Sequence, residues 1–352
     1  MKKFLLILMA LVLAFSFAAC GNNDPAPPPP PANGDNGEAE DLETWVITSA
    51  NAHAEAMTIT YFFGAFGEEV YRESNGRIIV NHFPAGQIGG DRDIAEGTQI
   101  GDIQLSGTNI NGHVFFAPDL AIFDMQYVFP DLASARRAKA DPILYARIQE
   151  IYDDAGFHLL GFTDSAFRYL TANFPIRTPA DMAGLTNRSS ANVYHIATWE
   201  SLGANPTPLA IGELYIALQQ GVVDAQDSGI EYILLWGFHE VQDYIMRLNH
   251  FYHINTFVMN RDFYNSLPAD MQGAVDRAAA IALTRTQARY DYYIGQWYVE
   301  LEELGRTFVL LTPEELAPFR DIVSAAVWPM VEADVSPETF QIFLEAVERA
   351  IQ

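Results

Sequence analysis

From Asp270 to about Leu304 the sequence reads as helix for about 35 residues with no proline. That is long for a globular helix, whose mean is about 11–12 residues. It is long enough to run across two lobes. The 352 residues, 49% of them hydrophobic, supply enough apolar material for two lobes rather than one.

The rest of the folded body alternates helix with strand. Trp45 to Thr48 is a short β-prone run, and Tyr61 to Ser74 is an amphipathic helix. Tyr61, Phe62, Ala65, Phe66 and Val70 share its apolar face, while Glu68, Glu69, Arg72 and Glu73 lie elsewhere. Asn75-Gly76 stops that helix, and Arg77 to Phe83 follows as a strand. Three later helix starts carry a hydroxyl followed by proline: Thr178-Pro179, Thr312-Pro313 and Ser336-Pro337. Ile211 to Gln220 reads as a helix with Leu214, Tyr215 and Leu218 inward. Gly221 ends it, and Val222-Val223 starts a buried strand. This rhythm predicts an α/β fold.

The first 43 residues have a different character. Lys2 and Lys3 precede an apolar run from Phe4 to Ala19, broken only by Ser16, and small residues lead to Cys20. This is the three-part pattern of an export signal, too short to span a bilayer. Phe17-Ala18-Ala19-Cys20-Gly21 resembles a bacterial lipoprotein processing box, with Phe17 where leucine is usual. The resemblance implies a signal peptide over 1–19 and a lipidated Cys20. Residues 20–43, rich in Pro, Gly, Asn and Asp, form an expected disordered tether. Cys20 is the only cysteine, so no disulfide within the chain can form.

The formal net charge is −25, from 45 acidic and 20 basic residues. Such a surface repels nucleic acid, and none is expected as a partner. No phosphate-binding glycine loop, nucleophile elbow or zincin motif is present. His239-Glu240 starts like a zincin, but Asp243 stands where the second His belongs. His250 and His253 lie three apart with no third ligand placed by spacing, so a packed pair is expected and no metal. Adjacent acids such as Glu302-Glu303 diverge on a helix and form solvated faces. Arg168 and Arg188 stand alone in apolar or β-like settings. A guanidinium fork matches a carboxylate, although a lone arginine is more often a surface ion-pair residue.

Read in order, several blocks resemble the solute-binding subunit of tripartite ATP-independent periplasmic (TRAP) transporters, dicarboxylate-binding type. They are Phe83 to Gly90, Ile122 to Phe129, Ile176 to Leu185, Leu202 to Leu209, Glu213 to Asp224, His239 to Tyr244, Asn249 to Tyr252 and Ser266 to Gln272. The resemblance implies a two-lobe periplasmic-binding-protein-like fold with hinge strands and a long helix spanning both lobes. It places lobe I over 44–165 plus 254–293 and lobe II over 166–253 plus 294–352. Arg188, four residues after Gly184, falls on the family's main carboxylate-binding arginine, and Arg168 on its second. Ser228 stands where an asparagine commonly touches ligand, and Ile211 where an aromatic residue often lines the cleft. Asn51 and Asn109 are expected to face the cleft from lobe I; each is equally a loop or turn residue.

The function implied is capture of a small organic acid outside the cytoplasm and its delivery to TRAP permease subunits driven by an ion gradient. The expected protein is a lipid-anchored monomer with no cofactor, and not an enzyme. A receptor of the same fold feeding a sensor protein, an extracytoplasmic enzyme and a purely structural surface lipoprotein are the alternatives.

Overall fold

A computed structural model describes residues 43–352. The predicted signal peptide, Cys20 and the tether up to residue 42 lie outside them. The strands are β1 (Trp45–Ala50), β2 (Ile78–Phe83), β3 (Leu105–Asn109), β4 (Phe157–Phe167), β5 (Tyr169–Ala172) and β6 (Thr186–Ser189). They continue with β7 (Asn205–Pro208), β8 (Ala225–Ser228), β9 (Tyr244–Arg247), β10 (Tyr252–Asn260) and β11 (Thr307–Leu310). One sheet runs β2-β1-β3-β10-β4 and the other β11-β9-β5-β8-β6-β7. Each sheet is the centre of one lobe.

Helix Thr58–Glu73 follows the predicted apolar face, burying Phe62, Phe63, Ala65, Phe66 and Val70. Glu69 is also buried on it, where Arg285 of the long helix meets its carboxylate at 3.1 Å. Asn75 and Gly76 both take positive φ and turn the chain back. β2 then pairs parallel with β1, from Trp45 opposite Ile78 to Ala50 opposite Phe83.

The chain crosses between the sheets at two neighbouring points. β4 ends at Phe167 and β5 starts at Tyr169, so Arg168 is the single residue between them. The return crossing runs from Arg247 at the end of β9 to Tyr252 at the start of β10. The Arg168 amide donates to the Phe251 carbonyl at 2.9 Å, which ties the two crossings together. Ala166 (φ 54°) and Asn249 (φ 50°) flank them in the left-handed region, which costs a non-glycine residue about 1–2 kcal/mol.

The long helix is Ala269–Glu303. Its first half buries Met271, Val275, Ala278 and Ala282 in the same core as Phe62, Phe66 and Phe257. Its second half buries Tyr290, Trp297 and Leu301 against Tyr169, Ile233 and Ile245 of the second lobe. It thus bridges both lobes.

Two expectations need correction. Val222 is exposed and the strand starts only at Ala225, because the turn after Gln219 carries both valines before pairing begins. The C-terminal segment does not stay with the second lobe. Helix Pro337–Ile351 packs on the first-lobe helices Leu132–Lys139 and Pro142–Asp154. Asp119 accepts from both Ser336 and Thr339, Arg349 pairs with Asp141 at 2.8 Å, and Phe343 packs on Phe123 and Phe129.

Gly107 in β3 has no room for a side chain. A Cβ there would sit 2.9 Å from both Phe257 and Phe63. Gly107→Ala is expected to destabilise the fold by about 1–3 kcal/mol, read as a lower urea midpoint with an unchanged slope.

Candidate functional site

β6 carries Arg188 into the interior, leaving it 6% exposed. Its Nε and Nη2 both donate to the Leu209 carbonyl, at 3.0 and 2.8 Å. No carboxylate among the described residues lies within ion-pair distance of it. Burial, reinforced by the neighbouring Arg168 charge, pulls its pKa down to about 10. The group is still charged at neutral pH, and it is a buried cation lacking a direct counter-ion.

Arg168 has one. Its Nε donates to Asp227 Oδ2 and its Nη2 to the Asp227 carbonyl. His250 Nε2 lies 3.1 Å from the same carboxylate oxygen. Burial alone would raise the Asp227 pKa, but the Arg168 charge and the His250 contact hold it well below the carboxylate range. Burial lowers the His250 pKa against the pull of Asp227. Arg168, Asp227 and His250 therefore form a linked cluster at the hinge in which Arg168 Nε and Nη2 are engaged, while Asp227 Oδ1 and His250 Nδ1 stay buried without a partner.

The other predicted residues divide. Ser228 follows Asp227 on β8; it is buried and its Oγ has no partner. Asn109, at the end of β3, contacts His253 Nε2 through its Oδ1. Asn51 is fully buried and holds a turn: it accepts from the His53 amide at 2.8 Å and donates to Thr60 Oγ1 at 3.1 Å. Ile211 is partly buried in a short 3-10 turn and packs on the core that includes Leu214 and Tyr232. Ser228, Asn109, Arg168 and Arg188 are gathered around the seam between the lobes, and the Asn51 turn carries His53 to it.

The sequence reading missed several groups at this seam. His53 meets the Tyr232 ring edge-on at 5.6 Å, and Tyr232 lies 5.4 Å from His253. His53 Nε2 is 3.6 Å from Asp91, which also accepts from Thr108 Oγ1 at 3.0 Å. Both ring nitrogens of His53, the Tyr232 hydroxyl and His253 Nδ1 are buried without a hydrogen-bond partner. Burial lowers the pKa of His53 against Asp91. Burial, with Arg168 adding to it, holds His253 well below the usual histidine range. The signal available was the His250–His253 pair, which reads as packing until the fold sets His253 opposite Tyr232. Among the described residues no cluster of His, Cys, Asp or Glu is placed to hold a metal.

The lobes touch directly. Glu231 Oε1 accepts from the Thr58 amide and hydroxyl, both at 2.6 Å, and so caps the first-lobe helix Thr58–Glu73 from the other lobe. Asn192 donates to Asp124 at 3.0 Å, and Trp236 Nε1 meets the Met57 sulfur at 3.1 Å. A separate cavity of about 420 Å³ lies behind the hinge, lined by Phe167, Tyr169, Arg247, Ile294 and Tyr298. None of the predicted site residues lines it.

Two lobes joined at a paired hinge, with an uncompensated buried arginine at their seam, define a binding protein of the periplasmic type. The chain belongs to bacterial extracellular solute-binding protein family 7, whose model matches residues 49–334. A solute-binding protein of Verminephrobacter eiseniae is 29% identical over 75% of this chain and 77% of its own length. A C4-dicarboxylate-binding periplasmic protein of Rhodobacter capsulatus is 27% identical over 74% of this chain and 78% of its own. A TRAP solute-binding protein from a Bordetella species, with ligand density assigned to pantoate, superposes with a TM-score of 0.79 at 26% identity. That match covers 86% of this chain and 99% of the other. A galactonate-bound sugar acid binding protein from Advenella mimigardefordensis shares the fold, with a TM-score of 0.83 at 22% identity over 88% and 100% of the two chains. The fold and its extracytoplasmic setting follow from these relationships.

Burial raises the Glu231 pKa to about 7, against the Thr58 hydrogen bonds and the Arg289 charge. The packed structure therefore holds this proton more tightly than an unfolded chain, whose glutamate titrates near 4.3. The Glu231 contribution is full below that value and is lost as the pH rises through about 7. The stability of Glu231→Gln relative to the parent should increase from about pH 5 to about pH 8. Urea midpoints at each pH check this; a pH-independent difference would contradict it.

Proposed function

We propose that the chain captures a small organic acid between its lobes and delivers it to an ion-gradient-driven TRAP permease. The observation that carries this is Arg188: a buried guanidinium with two donors on a backbone carbonyl and no carboxylate beside it. A ligand carboxylate supplies the missing charge and the fork geometry suits it. Ser228 and Asn109 face the ligand from opposite lobes. The Asn51 turn presents His53, Ile211 closes the apolar margin, and the Arg168–Asp227–His250 cluster holds the hinge wall in place. Relatives named for dicarboxylate binding, and a solved relative holding galactonate, support an acid as the ligand class.

Binding proceeds by population shift. The open form offers Arg188 from one lobe, and the acid then bridges to the other, so only the closed form gains both sets of contacts. The protein is a carrier rather than an enzyme. Residues 1–19 leave on export, Cys20 takes the lipid, and 20–43 tether a monomeric body to the outer face of the membrane.

Thermal unfolding of the ligand-stripped protein against mono- and dicarboxylates, sugar acids and keto acids tests this. An acid at 100 times its dissociation constant should stabilise the parent by about 2.7 kcal/mol. Arg188→Ala should weaken binding by about 2–5 kcal/mol and Arg188→Lys by less, since a lysine keeps the charge but not the fork. No shift with any acid in the parent would overturn the proposal.

A further inference from the structure

We propose that the cleft accepts one negative charge only: its ligand is a monocarboxylate carrying neutral hydrogen-bonding groups such as hydroxyls, and dicarboxylates are rejected. This rests on Arg188 being the carboxylate site and goes on to say what the remainder of the cleft admits.

The argument is a count of charges at the seam. Two guanidiniums are buried there. Arg168 is neutralised by Asp227, which bonds it through both its carboxylate and its carbonyl. Arg188 is the only one of the two left with a charge to offer. The opposite wall holds His53, Asn109 and His253, with Tyr232 packed between the two histidines; the further cation near the lobe contact, Arg289 of the long helix, acts on Glu231 and stacks on the Tyr61 and Tyr293 rings. Burial keeps His53 and His253 neutral, so neither replaces a cation.

What the seam offers instead, from both lobes, is neutral polar capacity. The His53 ring nitrogens, the Tyr232 hydroxyl, His253 Nδ1 and Ser228 Oγ are all buried and unpartnered within the protein. Buried polar groups are satisfied in stable complexes, and these suit hydroxyl or carbonyl oxygens. A second carboxylate would meet no cation. It would also approach Asp91, whose carboxylate stands 3.6 Å from His53 and acts electrostatically on Arg188 and on the Tyr232 hydroxyl. A buried anion with an anion for a neighbour is strongly disfavoured.

The test uses pairs that differ at one carbon: a hexonate against the corresponding hexarate, and 4-hydroxybutyrate against succinate. Calorimetric titration of the parent protein is expected to give at least one monoacid binding roughly 100-fold tighter than its diacid partner. Asp91→Asn is expected to narrow that ratio to under about 10-fold, since it removes charge without changing size. A diacid that binds as tightly as its monoacid, with both lost in Arg188→Ala, would overturn this inference while leaving the acid-capture reading intact. Acids that bind equally well in Arg188→Ala, or no binding by either member of every pair, would overturn both. A ratio unchanged in Asp91→Asn would remove the charged wall as the cause and with it the inference.

Discussion

A charged guanidinium does not stay in a protein interior without cause. Arg188 is held by a single backbone carbonyl, its proton affinity lowered by burial and by a second arginine close by. Removing an ion from water costs several kcal/mol even after relaxation. The fold has to supply that stability elsewhere, and its apolar clusters do so, two of them joined by the long helix. The Arg168–Asp227–His250 cluster shows the alternative arrangement a few residues away: the same kind of cation, fully compensated. The contrast between the two assigns them different work. Arg168 fixes the hinge, while Arg188 retains unmet demand for an anion.

The hinge is built so that the lobes can part without unfolding. Two chain crossings, the long helix and the C-terminal segment connect the lobes, and the two crossings are tied by the backbone hydrogen bond from Arg168 to Phe251 and by the pairing of Phe167 with Tyr252. Left-handed residues at Ala166 and Asn249 hold the backbone in conformations that neighbouring packing must maintain. Leu214, Leu218 and Phe238 of the second lobe share one apolar core with Phe62 and Phe66 of the first, and beside it stand polar contacts such as Glu231 on Thr58 and Asn192 on Asp124. The polar contacts exchange readily for water when the lobes open, which suits a protein whose ligand must enter and leave.

Much of the fold is legible from local pattern. The long helix, the amphipathic helix after Met57 and the capped starts at Thr178, Thr312 and Ser336 all express preferences contained within a few residues. Val222-Val223 misled because apolar β-branched residues before a strand look like its beginning; pairing with β5 and β6 starts at Ala225. The C-terminal helix has a clear apolar face, but nothing local says which lobe it will cover. At the site, the resemblance pointed to Arg168, Arg188, Ser228 and Asn109, but not to the groups they pair with. Asp227 lies 59 residues from Arg168, and Glu231 lies 173 from Thr58. Pairings of that kind are set by tertiary topology, so a sequence can present both partners and still not reveal that one neutralises the other.

The most direct measurement is a crystal structure of the protein loaded with its tightest-binding acid. The account predicts a carboxylate with both oxygens within hydrogen-bond distance of the Arg188 guanidinium, and the Arg168–Asp227 pair left intact beside it. A carboxylate seated on Arg168 with Asp227 displaced, or a ligand with no contact to Arg188, would contradict it.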